Sequence, residues 1–217
     1  MFNFVSIGGD GSDCYSISKF PTQQDRAEDF NYERTCTVEI LKKISEANPE
    51  AKKIYIQGNH EERLQKLMDK FIKPFRNLPE LQIEKLLKLK EYGYEYIKYF
   101  YKLNHNFIIT HGSRTCKQSA KYELEDWGIS GASGHVHRYN EHKNNYNERL
   151  ILRPTHWYSF GCLADINQIN YAKDFRAKWD NSFGIIEYGE ENFHVTTIHP
   201  SKLTGEFYCP FNGKYYG

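Results

Sequence analysis

One local pattern occurs four times in this chain and constrains its fold more than any other feature. A short apolar run ends at a glycine turn, and an Asp, Asn or His stands beside the glycine. Phe4-Val5-Ser6-Ile7 runs into Gly8-Gly9-Asp10-Gly11-Ser12-Asp13, and Ile54-Tyr55-Ile56 runs into Gly58-Asn59-His60-Glu61. Phe107-Ile108-Ile109-Thr110 runs into His111-Gly112, and Ile129-Ser130-Gly131-Ala132-Ser133 into Gly134-His135-Val136-His137. A β-branched or aromatic run that stops at glycine predicts a buried strand ending in a sharp turn. After His60, the acidic pair Glu61-Glu62 opens a helical pattern with the charge that a helix N-terminus favours. Strand, glycine turn, polar pair and helix is how an α/β protein builds a site at the carboxyl edge of its sheet.

Periodicity supplies the elements between these turns. Residues 2–7 predict a strand, and Gln23–Ala47 a helix with Phe30, Cys36 or Thr37, Leu41 and Ile44 near one face, stopped by Asn48-Pro49. Lys53–Gln57 predicts the next strand, and 61–72 a helix with Leu64, Leu67, Met68 and Phe71 on one side. Glu80–Lys90 predicts a further helix. With the aromatic row from Tyr92 to Tyr101 it makes an insertion or cap at about residues 73–103. An aromatic row can stack bases, but no basic cluster accompanies this one. It reads as an alternating strand packed under a cap. Strand 106–110, a helix near Cys116–Asp126 and strand 129–133 come next, and Asn140–Asn147 predicts an exposed polar loop. Strands are expected at about Leu150–Tyr158, Phe183–Tyr188 and Phe193–Ile198, the last two forming a hairpin through Gly189-Glu190-Glu191-Asn192. The tail from Ser201 is expected to lie against the surface. No repeat or low-complexity segment divides the chain, so a single domain over residues 1–217 is expected.

Composition narrows the function classes. A net charge of +1 makes no electrostatic case for a nucleic-acid or membrane surface. No apolar run approaches the length that spans a bilayer, and no signal-peptide pattern opens the chain. Cys14, Cys36, Cys116, Cys162 and Cys209 are scattered, without a Cys-x-x-Cys pair, which fits reduced thiols and a cytoplasmic location.

The four turns carry the chemistry. Asp10 offers a carboxylate able to bridge two divalent ions, Asn59 a neutral carbonyl oxygen, and His111, His135 and His137 imidazole nitrogens. Mixed nitrogen and oxygen donors without cysteine suit Mn, Fe, Zn, Co or Ni rather than a thiolate-held structural zinc. His60, beside Asn59, is placed to donate a proton to a leaving oxygen. His105, His142, His156, His194 and His199 lie outside the motifs and read as surface or satisfied core residues. Arg63 and Arg138 flank the motifs and could touch a phosphate. Gly8-Gly9-Asp10-Gly11-Ser12-Asp13 also matches one calcium-binding nonapeptide, but such units are stable only when stacked about three deep.

Gly9-Asp10-x-x-Asp13, Gly58-Asn59-His60-Glu61, His111-Gly112 and Gly134-His135-x-His137 resemble the motifs of the calcineurin-like metallophosphoesterases. The stretches Phe160-Gly161-Cys162-Leu163 and Trp179-Asp180-Asn181-Ser182-Phe183-Gly184 look like the late strands of phage and bacterial members. The resemblance implies an α/β/β/α sandwich of two mixed sheets flanked by helices, and a dinuclear site hydrolysing a phosphomonoester or phosphodiester by metal-activated hydroxide attack. It implies Asp10 as the bridging carboxylate, Asn59, His111 and His135 completing one metal site, His137 in the other, and His60 as the catalytic histidine. Asp13 is implied as a supporting residue behind the ligands. Mn2+ is the metal expected first, with Fe, Zn, Ni or Co as alternatives.

The family's first motif, Asp-x-His, has no counterpart among the nine residues before Asp10, so the strand that bears it is expected to be missing. One tightly held ion is therefore expected where the family holds two. The partner implied is a phosphorylated substrate. Two alternatives stay open: a degenerate member of the fold acting as a binding or scaffold module, and a nuclease using the same metal chemistry. The near-zero charge counts mildly against the nuclease.

Overall fold

Ile54, Tyr55 and Ile56 are fully buried and make β2 (Lys52–Ile56) the centre of a three-stranded sheet. In the computed structural model, which describes residues 2–18, 29–144, 154–166, 178–201 and 204–217, the chain divides into two compact units, Met1–Phe100 and Tyr101–Gly217. In the first, β1 (Phe4–Ile7) and β3 (Tyr94–Ile97) pair with β2 in parallel on either side. Parallel neighbours need crossovers, supplied by α1 (Phe30–Ala47) and by α2 (Glu62–Phe71) with the single turn α3 (Ile83–Leu86). Leu41, Tyr55, Leu64, Met68, Ile83, Leu87, Leu89 and Tyr94 form the core.

Local chemistry explains where these elements begin and end. Asp29 caps α1 by accepting from the Tyr32 N–H at 2.7 Å. Residues 19–28, the start of the helix expected from Gln23, lie outside the described residues. Lys53 is buried yet satisfied, because its Nζ donates to the carbonyls of Asn48, Pro49 and Ala51, just past the end of α1. The helix expected over Glu80–Lys90 is mostly absent: a 3-10 turn at Pro79–Leu81 precedes α3, and Lys88 takes a left-handed φ of 54°. Leu87 and Leu89 are buried, so core packing overrides the helical periodicity there.

The aromatic row is also not one strand. Tyr94–Ile97 matches β2 residue for residue from Lys53 to Ile56, and the chain then leaves for a different sheet at β4 (Phe100–Asn104). The buried Tyr94 hydroxyl donates to the Leu41 carbonyl, whereas Tyr99 is exposed.

The second unit is built on a five-stranded mixed sheet. Its order is β4, β5 (Phe107–Thr110), β6 (Ser130–Ser133), β8 (Thr155–Ser159) and β7 (Asn140–Asn144). Strands β5, β6 and β8 run parallel, and β7 pairs antiparallel with β8. Helix α4 (Ser119–Trp127) packs Ala120 and Leu124 on Ile108 and Trp157. The small residues of β6 have a steric reason: a Cβ on Gly131 would lie 2.5 Å from the Trp157 ring. The hairpin of β9 (Phe183–Tyr188) and β10 (Phe193–Ile198) forms as expected. It rests on the sheet through Phe107 and Phe193, 4.6 Å between ring centres, and through Asn104 Nδ2 bonded to the carbonyls of Gly189 and Asn192.

Two expectations for this unit need correction. Asn140–Asn144, expected in an exposed loop, is the edge strand β7, whose polar composition suits a sheet edge facing water. Residues 145–153, including the start of the strand expected from Leu150, lie outside the described residues. The tail folds into its own hairpin, β11 (Phe207–Cys209) with β12 (Lys214–Tyr216). The molecule is of mixed α/β class, with several sheets and flanking helices. Among the described residues, no helix is long and apolar enough to cross a membrane.

Candidate metal centre

In the first unit the residues of interest sit on two loops at the carboxyl ends of β1 and β2. What joins the loops is Glu61, a carboxylate only 1% exposed. It accepts from the backbone N–H groups of Asp10 (3.0 Å), Ser12 (3.2 Å) and Gly58 (2.8 Å), and from the Tyr55 hydroxyl (2.6 Å). Burying a carboxylate is costly unless its lone pairs are filled, and here four donors fill them. Burial, and then the Glu61 charge, push the Tyr55 hydroxyl well above its ordinary pKa, so it stays a donor. Gly58 is required because a Cβ there would stand 2.1 Å from Asp10 Oδ1.

The result is a fixed carboxylate beside a fixed imidazole. Asp10 Oδ1 accepts from the His60 N–H at 2.9 Å, and Asp10 Oδ2 lies 3.7 Å from His60 Nε2. His60 Nδ1 is 3.2 Å from Asp13 Oδ1, without the geometry of a hydrogen bond. Arg63 donates to the Asp13 carbonyl at 2.6 Å. Helix α1 steadies the same loop from below: Glu33 accepts from the N–H groups of Tyr15 and Ser16, and Thr37 donates to the Gly11 carbonyl. Cys14 is sealed beneath it, its thiol pushed up to about 12, chiefly by burial. Asn59 stands half-buried in the turn between β2 and α2.

In the second unit the imidazoles come from neighbouring parallel strands. His111 follows β5 and His135 follows β6, and the Gly134 N–H donates to the His111 carbonyl at 2.9 Å. The ladder thus sets His111 Nε2 and His135 Nδ1 3.1 Å apart. Two imidazole nitrogens on a shared ion, at about 2.1 Å each and at right to tetrahedral angles, lie roughly 3.0–3.4 Å apart. His137 is not part of this pair; its ring meets Trp179 edge-on, 4.1 Å between centres. The turn after it is held by Asp180, whose N–H donates to the His137 carbonyl and whose carboxylate accepts from the Tyr139 N–H. Behind His111, the buried Glu123 accepts from the N–H groups of Ser113 and Arg114 and from Trp127 Nε1.

Backbone conformation singles out the same residues. Among the described residues five other than glycine have positive φ, and three of them are expected metal ligands: Asp10 (53°), His135 (64°) and His137 (54°). Left-handed backbone is unfavourable for residues with a Cβ and collects at functional sites. In the second unit His111 and His135 bring two imidazole nitrogens together, and in the first Asp10 offers a carboxylate oxygen. Carboxylate and imidazole donors, rather than thiolates, suit a divalent transition ion.

The residues that sequence reasoning missed are the carboxylates behind the ligands: Glu33, Glu61 as an acceptor, Glu123 and Asp180. A signal existed for two of them. Glu33 lies in line with the buried Thr37 and Leu41 on α1, and Glu123 beside the buried Ala120 and Leu124 on α4. A charged residue on an apolar helix face needs a partner. Compared with known proteins, the chain matches no family model and no curated protein sequence.

Proposed function

We propose that the chain is a metal-dependent phosphoesterase of the calcineurin-like type. Asp10, Asn59, His111, His135 and His137 are the candidate metal ligands by their motifs, and Mn2+ is first among the candidate ions. A bound ion of this kind supplies Lewis-acid polarisation of a phosphoryl oxygen and lowers the pKa of water. The chain's own residues do the rest. The His60 N–H fixes the Asp10 carboxylate. Asp13 faces His60 Nδ1 and leaves Nε2 to carry the proton to the leaving oxygen.

The observation that carries this reading is the left-handed backbone at Asp10, His135 and His137, with the His111–His135 nitrogen pair beside it. Metal analysis of purified variants tests it. Asp10→Asn and His135→Ala each lose the bound ion, because each removes a ligand; unchanged metal in both would sink the assignment. The intact chain holds about one tight ion, since two ligands rarely retain a divalent ion against water. His60→Gln keeps the metal and lowers hydrolysis of an aryl phosphate about 10²–10⁴-fold.

A further inference from the structure

Three arginines lie close to the ligand-bearing turns, and two have their charge answered. Arg63 Nη1 is 3.6 Å from the Asp13 carboxylate as well as bonded to its carbonyl. Arg114 is tied to Asp126 through Nε at 2.9 Å and through Nη2. Arg138 differs. Among the described residues its guanidinium makes one long hydrogen bond, Nη2 to the Thr115 carbonyl at 3.4 Å, and its Nε is buried with no acceptor. Among the described residues no carboxylate pairs with it. A partly desolvated cation without an anion is costly, and a planar guanidinium matches an oxyanion through paired N–H donors.

Its position says what that anion is for. Arg138 directly follows His137, and Thr115 belongs to the loop that follows His111-Gly112. That loop borders a cavity of about 290 Å³ lined by Ser113, Arg114, Thr115, Cys116 and Tyr122. The N–H groups of Ser113 and Arg114 are already taken by Glu123. Those two N–H groups are therefore not open to an anion, and Arg114 is neutralised by Asp126. We infer that Arg138 is the seat of a tetrahedral oxyanion, a phosphate group of the substrate, at the rim of the cavity lined by residues 113–116 and Tyr122. The choice of phosphate rests on the phosphoesterase reading; the unanswered cation does not.

The test uses the full chain after chelation and dialysis, with inorganic phosphate as the probe and calorimetry as the readout. The intact chain binds phosphate, Arg138→Gln weakens binding at least about tenfold, Arg138→Lys recovers part of it, and Arg114→Gln changes it less than about twofold. Tryptophan emission of each variant checks that the fold is kept. The inference is overturned if phosphate does not bind, if Arg138→Gln binds as the intact chain does, or if Arg114→Gln loses as much as Arg138→Gln. Metal content and aryl phosphate turnover, measured on the same samples, separate the two readings. Arg138-dependent binding without metal or turnover leaves this inference standing alone, and turnover with binding indifferent to Arg138 removes it alone. In active enzyme, a KM raised by Arg138→Gln for an aryl phosphate assigns the seat to the reacting group. A KM raised only for a substrate with a second phosphate assigns it to that second group.

Discussion

Glu61 in the first unit and Glu123 in the second are both 1–2% exposed, and both spend their oxygens on backbone N–H groups of a ligand-bearing loop. They are not equivalent. The donors to Glu61 come from three separate segments: the loop at Asp10 and Ser12, the turn at Gly58, and Tyr55 on β2. Those to Glu123 come from one loop, at Ser113 and Arg114, and from Trp127 on its own helix. The contrast reflects how each unit places its candidate ligands. His111 and His135 leave adjacent paired strands, so the sheet ladder itself sets their spacing. Asp10 lies beyond β1 on a loop that no ladder reaches, and a buried charge has to gather it against the β2 turn. One unit positions by backbone pairing, the other by a carboxylate.

That contrast can be broken by mutation. Glu61→Ala has the largest expected effect, about 3–5 kcal/mol, because it strands three backbone donors and the Tyr55 hydroxyl in the interior. The tryptophans, at 127, 157 and 179, all lie in the second unit, while Cys14 is buried in the first. Urea unfolding followed by peptide-level alkylation of Cys14 and by tryptophan emission therefore reads the units separately. Glu61→Ala moves the Cys14 transition more than the emission transition. Glu123→Ala costs less, about 2–3 kcal/mol, and does the reverse. If both variants move both transitions alike, the distinction between the units fails.

Gly58→Ala sharpens the first half of the comparison. The added methyl would overlap the Asp10 carboxylate, and about 1–3 kcal/mol is expected from such overpacking. Metal content should fall with it. Metal retained at the level of the intact chain would show that Asp10 does not need the position the turn enforces.

The smallest effect concerns pH and belongs to the second unit alone. His156 stacks on Tyr158, and burial lowers its pKa against the opposing pull of Glu141. A histidine whose folded pKa is depressed binds more protons when unfolded, so stability is lost as pH falls through the unfolded value of about 6.5. The emission-detected midpoint should drop below that pH, and His156→Gln should flatten the drop. An unchanged pH profile in His156→Gln would place the effect on other groups.

Much of this was legible from residues 4 to 137. The apolar runs before Gly8, Gly58, His111 and Gly134 are strands, and the His-bearing turns stand at strand ends, because a buried strand needs an apolar run and a sharp turn needs glycine. Both requirements are local and written in adjacent residues. The exposed loop expected at Asn140–Asn144 failed for the complementary reason. An edge strand facing water has the composition of a loop, and only pairing with Thr155–Ser159 makes it a strand. The helix expected over Glu80–Lys90 gave way in the same manner, to core contacts of Leu87 and Leu89.

By itself the sequence determined the mixed α/β class, the strand-end turns and the types of donor atom those turns carry. The tertiary structure alone decided that His111 and His135 face each other at 3.1 Å, that Glu61 rather than Asp13 organises the Asp10 loop, and that Arg138, of the three arginines near the ligand-bearing turns, has no carboxylate among the described residues. Chain chemistry is fixed residue by residue, whereas distance, burial and the pairing of charges depend on which distant segments the packed core brings together.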